Sequence, residues 1–344
     1  MSRTLEFGFN QSIGGMEKYL NPFLIMSLLV VTLASLSFGT IDLNPITGLI
    51  DWFASSDSRE ALIVGEIRLP RTLLALIVGA AMALSGAALQ GLFRNPLVDP
   101  GLIGASQGAA LGAALVFYFN LLSSLGALAT PVAGLIGAAI TLFLLMGLSG
   151  SMARPAIIIM AGLAISSLAS ALLAVVLNFA PNPYAMQELV FWMLGSVSNR
   201  GLDNLAILLP AFIIGSVVIY RQRRLLLGLS LGDQVADSMG LEVVKRGRYI
   251  VLGTALLVGS SVAIAGNIGF VGLVIPHLIR PLVKYRPDHL LVPAALAGAT
   301  VVCLADILVR LLPPERELKL GVLTALVGAP FFVWLIWKER QRWI

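Results

Sequence analysis

Charge is scarce in this chain. Asp, Glu, Lys and Arg together make up 12% of its 344 residues, while 58% are hydrophobic. A soluble domain carries about 25% charged residues, so this chain cannot cover itself in water, and a mean hydropathy of +0.93 points the same way. One cysteine, Cys303, excludes both an intrachain disulfide framework and a thiolate metal cluster. Two histidines, His277 and His289, exclude a histidine-rich metal site. No G-x-x-x-x-G-K-[ST] phosphate loop occurs, and no nucleophile, base and orienting group stand out as a set. Nothing in the chain can hydrolyse ATP, so no enzyme activity and no cofactor bound by this chain are expected. The basic excess is 23 Lys and Arg against 18 Asp and Glu. It falls beside apolar stretches, which argues against a nucleic-acid partner.

What the chain has in abundance is apolar length. A helix needs about 20 apolar residues to cross a bilayer. Ten stretches qualify, at roughly 21–38, 67–90, 98–119, 125–147, 156–178, 202–220, 247–265, 272–285, 290–311 and 319–337. Gly, Pro and polar residues interrupt the third and the eighth. The first has no convincing small-residue cleavage site after it and is read as retained. The expected architecture is an all-α polytopic membrane protein. A tail over 1–20 precedes a transmembrane domain over 21–337, and a second tail follows over 338–344.

Lys and Arg favour the cytoplasmic ends of spans. Segment 39–66 carries Asp42, Asp51, Asp57, Glu60 and Glu66 against Arg59 alone. Basic clusters lie at 221–224, 245–248, 280–286 and 338–342. Ten spans with both termini in the cytoplasm put every basic cluster inside and the acidic segment outside. Arg68, Arg71 and Arg310 break this trend, since they fall at outer ends. Asp306 stands four residues before Arg310 and can pair with it. The arginines can also capture acidic residues of an external protein.

Three stretches are not simply lipid-facing. In 88–115, Asn95-Pro96 and Asp99-Pro100 predict a tight connection, with Asp99 meeting free amides at the start of span three. Ser106 and Gln107 should face protein or a wet cavity. In 265–283, His277 reads as a structural hydrogen-bond donor and Arg280 as an anchor. In 178–199 a turn leads into a short amphipathic helix, with Tyr184, Phe191 and Trp192 suited to an interface.

The polar block at 221–248 predicts two short helices. Leu231 leads into Gly232-Asp233, where Asp233 can cap a helix. Gln234, Ala236 and Asp237 continue it, Gly240 ends it, and a second turn starts at Leu241. On residues alone the block is either an interfacial packing element or the surface through which a soluble motor pushes.

Gly232-Asp233, Ala236 and Gly240 resemble the coupling segment of a known family. These are the FecCD-type permeases, the transmembrane subunits of type II ATP-binding-cassette importers of iron–siderophore complexes, haem and vitamin B12. "RLPRTLLALIVGAAMALSGAALQGLFRNPLVDPGLIGASQGA" (68–109), "GNIGFVGLVIPHLIR" (266–280) and "ELKLGVLTALVGAPFFVWL" (317–335) resemble it too, in the right order. The resemblance covers the chain from about residue 20 onwards. It implies a homodimer of ten-helix subunits in a bacterial inner membrane. Two ATPase subunits, which bind the ATP and magnesium, would sit beneath. An external binding protein would deliver a metal chelate from outside. It further implies coupling helices at about 228–244 that rest on the ATPase, and binding-protein docking by Arg68, Arg71 and Arg310. The pathway would be lined in part by the fifth span, with Met152, Arg154 and Pro155 near an inner gate and Ser166, Ser167 and Ser170 on its wall. Helix 178–199 would resemble an outer lid. Iron–siderophore is the broadest cargo class, with haem or cobalamin as alternatives. An ion-coupled secondary transporter is the rival from another class. It would need carboxylates or unwound ion sites at midplane, whereas most carboxylates here sit at span ends and in loops.

Overall fold

Backbone amides and carbonyls in lipid must be satisfied within the chain, which makes a helix the default for each long apolar run. The computed structural model describes residues 2–39, 41, 43–119, 121–150, 155–179, 183–312 and 318–340. Among these the regular structure is entirely helical. In chain order the helices are α1 (Ser2–Ser37), α2 (Pro45–Phe53), α3 (Arg59–Leu62), α4 (Leu69–Leu92), α5 (Ala105–Phe119), α6 (Ala129–Ser149), α7 (Pro155–Asn178) and α8 (Pro183–Met193). After them come α9 (Leu202–Arg221), α10 (Arg223–Ser230), α11 (Asp233–Ser238), α12 (Val243–Ala265), α13 (Val271–Ile279), α14 (Pro287–Arg310) and α15 (Leu320–Arg340).

All ten expected spans fall on helices. α1, α4, α6, α7, α9, α12 and α14 contain stretches long and apolar enough to cross a membrane, whereas Ala105–Phe119, Val271–Val283 and Leu320–Leu335 are shorter. The third expected span starts late. Asp99 caps a 3-10 turn over Pro100–Ile103, its Oδ1 accepting from the Gly101 amide at 2.7 Å, and Gly104 at φ +83° separates that turn from α5. The eighth is α13 followed by a 3-10 turn, Arg280–Val283. The acidic segment 39–66, for which no helix was expected, holds α2 and α3. Asn44 caps α2 and Ser58 caps α3 while donating to Asp51 at 2.9 Å.

α4 is the central helix, buried along almost its whole length and packed on α12, α13 and α14. Small residues permit this approach. A Cβ on Gly79 would stand 2.3 Å from the Gly298 carbonyl oxygen, and one on Gly86 would stand 1.7 Å from that of Gly272. By contrast, α1, α6, α7 and α9 keep most of their apolar surface outward.

Gly86→Ala should therefore force α4 off α13 and lower the melting temperature of the detergent-purified protein, at a cost of about 1–3 kcal/mol or more. Gly147→Ala, on α6 with nothing within 4 Å, should leave it equal or slightly raised.

Candidate functional site

Two constellations occupy opposite ends of α4. At about 1.5 Å per residue its 24 residues separate them by about 36 Å.

At the first end three arginines converge on the C-terminus of α1, where a helix leaves its last carbonyls without partners. A π-helical stretch over Ile63–Arg68 leads into α4 and turns Arg68 inward. That side chain is only 5% exposed and donates from Nη1 to the carbonyls of Leu36 and Ser37 at 2.8 and 2.7 Å, and from Nη2 to that of Ile41. Arg310 donates from Nη1 to the Ser35 carbonyl at 2.8 Å and from Nη2 to the Ser35 hydroxyl at 2.9 Å. The last three carbonyls of α1 are thus met by guanidiniums from the stretch just before α4 and from α14. The positive groups also suit the negative end of the helix dipole.

Asp306 holds the set together. Its carboxylate, 1% exposed, accepts Arg71 Nε at 3.0 Å and Nη2 at 2.8 Å, and from the other side Arg310 Nε at 2.8 Å. Arg310 Nη2 also contacts it. The expected Asp306–Arg310 pair is present, and Arg71 joins it from a second helix. Of the three arginines implied as docking groups, Arg68 and Arg310 are turned inward, and Arg71 keeps the most exposed side chain of the pair on Asp306 at 20%. These groups line a cavity of about 320 Å³ that also includes Lys319 and Ser198. Its described lining carries four cations and one carboxylate.

At the other end stand the two short helices, though placed differently from the sequence expectation. The pair is α10 and α11, and no separate turn begins at Leu241, because α12 starts at Val243. Asp233 is the first residue of α11 and not its cap. Gly232 takes that place at φ +116°, and Gly240 follows α11 at φ +73°. Both conformations favour glycine, which gives a physical reason for these two motif positions. Leu225, Leu226 and Leu229 bury α10 against the bundle, and Ala236 is fully buried under α11. Leu231, Val235 and Met239 are left exposed, as are Gln234 and Asp237. Asp233 Oδ1 pairs with Arg94 Nη2 at 3.0 Å, which ties α11 to the end of α4.

Of the pathway residues, Met152 and Arg154 lie outside the described residues, as do Pro313 to Glu317 of the expected outer cap. Pro155 begins α7. Ser166 is half-buried, its hydroxyl buried without a hydrogen-bond partner among the described residues, Ser167 donates to the Leu163 carbonyl at 2.9 Å, and Ser170 is exposed. Helix α8 matches the expected short helix, but Trp192 turns inward against Phe117 while Tyr184 and Phe191 stay exposed.

Sequence reasoning missed Gln90, Ser35 and Arg94. Gln90 is 2% exposed in the middle of the bundle. Its Nε2 faces the carbonyls of Val98, Gly272 and Leu273 at 3.3–3.4 Å, and its Oε1 accepts from Arg280. A glutamine alone in an apolar span was the available signal.

Asp306→Asn should strand two largely buried guanidiniums and destabilise the purified protein by about 3–5 kcal/mol. The triple change Asp306→Leu, Arg71→Met and Arg310→Met should recover much of that loss. Thermal unfolding in detergent measures both.

With this geometry established, comparison with known proteins places the chain. It is 38% identical to the hemin transport system permease protein HmuU of Yersinia pestis, over 93% of this chain and 96% of the relative. It is also 38% identical to the vitamin B12 import system permease protein BtuC of Citrobacter koseri, over 94% and 95%. Among solved structures it superposes on a metal-chelate type ABC transporter in an inward-facing conformation. The TM-score is 0.81 at 32% identity, covering 93% of this chain and 99% of that one. The family model for the FecCD transport family matches residues 27–338, and the chain belongs to that family.

Proposed function

We propose that this chain is the membrane-spanning permease subunit of an ATP-driven importer and that its cargo is a metal chelate of the iron–siderophore type. The observation that carries this reading is the division of labour along α4. One end presents a cationic cavity and the other a rigidly seated helix pair with apolar side chains exposed. In this reading two copies enclose the pathway. Leu231, Val235 and Met239 seat in an apolar groove of an ATPase subunit that supplies the ATP and magnesium. The closing motion enters through α11 and passes by Arg94–Asp233 to the end of α4.

The cationic end faces outward and receives an acidic binding protein, with both termini in the cytoplasm of a bacterial inner membrane. Arg71 is the residue best placed to meet a carboxylate there, since Arg68 and Arg310 already cap α1. Arg310 and Asp306 set the angle of the Arg71 fork, whose planar donors suit a carboxylate better than an ammonium would. Haem or cobalamin as cargo is the second reading, favoured by the relatives that carry those names.

The test is reconstitution in liposomes with the ATPase and the binding protein, followed by ATP-dependent uptake of labelled ferric siderophore, haem and cobalamin. Accumulation of one cargo supports the reading, and failure to recruit any ATPase overturns it. Leu231→Asp with Val235→Asp should weaken ATPase capture at least about tenfold, because each puts a charge in an apolar contact. Arg71→Ala should weaken binding-protein docking by about 2 kcal/mol or more, with dimer assembly intact by gel filtration. Unchanged docking affinity would remove Arg71 from the interface.

A further inference from the structure

A second cavity, of about 300 Å³, opens between α5, α7 and α8 beside the segment that follows α12. Ser106, Gln107, Ser170, Trp192 and Asn267 line it, and no described lining residue is charged. Of its lining residues, only Ser170 was expected on the pathway wall.

Two features mark it as built for a ligand. The first is unspent hydrogen-bonding capacity. Ser106 is only 6% exposed, yet neither its side chain nor that of Gln107 hydrogen-bonds to any described residue. The buried indole N–H of Trp192 likewise lacks an acceptor among the described residues. Of these only the Trp192 indole is a fully buried group left unpaired, at a cost of about 1–3 kcal/mol. The second is the backbone. The stretch from Val271 to Val283 spans about 20 Å at about 1.5 Å per residue, short of the roughly 30 Å hydrocarbon core. The irregular turn before it, with Gly266 at φ +69° and Phe270 at φ +66°, therefore falls at membrane depth. Non-helical backbone is tolerated there only inside protein or against a wet cavity, and in broken-helix transporters it marks the substrate site. Asn267 belongs to that turn, and both Asn267 and Ser170 are exposed on the chain's surface.

We infer that this cavity is a subsite on the wall of the pathway that takes a neutral, amide- or hydroxyl-bearing arm of the cargo. The inference rests on the importer reading and deepens it. Two carboxamides and two hydroxyls can pair with a carboxamide, hydroxamate or hydroxyl as both donor and acceptor. With no cation among the described lining residues, a carboxylate arm would enter without a counter-charge there, which is costly. The volume lies at the small end of whole-ligand pockets, so it suits one arm and not the body of a chelate.

The experiment uses the reconstituted complex with three probes: cyanocobalamin, a ferric hydroxamate siderophore and haem. The wild type should accumulate one of the first two. In Gln107→Leu its half-saturating concentration should rise about tenfold, the scale of one lost hydrogen bond, and Gln107→Asn should recover part of it. Gel filtration with the ATPase checks assembly of each variant. An unchanged half-saturating concentration overturns the subsite, and a wild type that moves only haem overturns its chemical class.

A second readout separates this inference from the importer reading. Ser170→Cys in a Cys303→Ser background should react with a water-soluble maleimide, and cyanocobalamin or the hydroxamate should protect it while haem does not. No labelling, or labelling that neither neutral-armed probe prevents, overturns the subsite even where uptake fails for other reasons. Protection with no accumulation of any probe would support the subsite and refute the importer reading.

Discussion

Every polar group of the backbone that enters lipid must find its partner inside the protein, and much of this structure follows from that one demand. Most of the chain meets it by being helical. The places where helices end or break are where side chains are recruited. Arg68, just before α4, and Arg310, at the end of α14, reach across to cap α1. Gln90 sits opposite the carbonyls of Gly272 and Leu273 where α13 begins its short run. The polar cavity lies beside the irregular turn that holds Asn267. Functional candidates and helix ends coincide because both need polar groups in an apolar setting.

The arginine cluster serves structure, and under the proposed function the same residues would also serve recognition. Buried cations are expensive unless a carboxylate and further hydrogen bonds compensate them. Asp306 supplies the charge for Arg71 and Arg310, and the α1 carbonyls take donors of Arg68 and Arg310. The lining still holds more cations than carboxylates, so the same arrangement that closes α1 against α4 and α14 leaves a positive field at that end of the bundle. Such a field speeds and orients the approach of an acidic partner. If an acidic partner docks at this end, as proposed, stability of the α1 end and docking would depend on one network.

At the opposite end the same economy recurs. Gly232 and Gly240 permit backbone conformations that other residues resist, and Ala236 lets α11 lie close on α10. The apolar side chains left exposed there, Leu231, Val235 and Met239, have no use to an isolated bundle. Their seat is firm. α10 is buried against the central helix through Leu226 beside Gly91, and Asp233 is bound to Arg94. A push on α11 therefore has a short route to α4, the helix on which most of the bundle packs.

The class and the approximate number of apolar helices were legible from the residues, because hydropathy over about 20 residues is a local property. The order of the motifs carried the family. Asp99 at a turn, Asp306 four residues from Arg310 and the glycines of the central block could also be read, since each depends on near neighbours in the chain. Other features needed the folded protein. The third arm of the Asp306 network comes from Arg71, 235 residues away. The inward turn of Arg68 follows from where α1 ends. Trp192 faces inward because α8 lies against α5. The polar cavity exists only where α5, α7 and α8 meet the broken end of α12. Composition and spacing determined what must be buried and what must cross the membrane, while tertiary structure alone decided which polar groups, distant in sequence, would satisfy one another there.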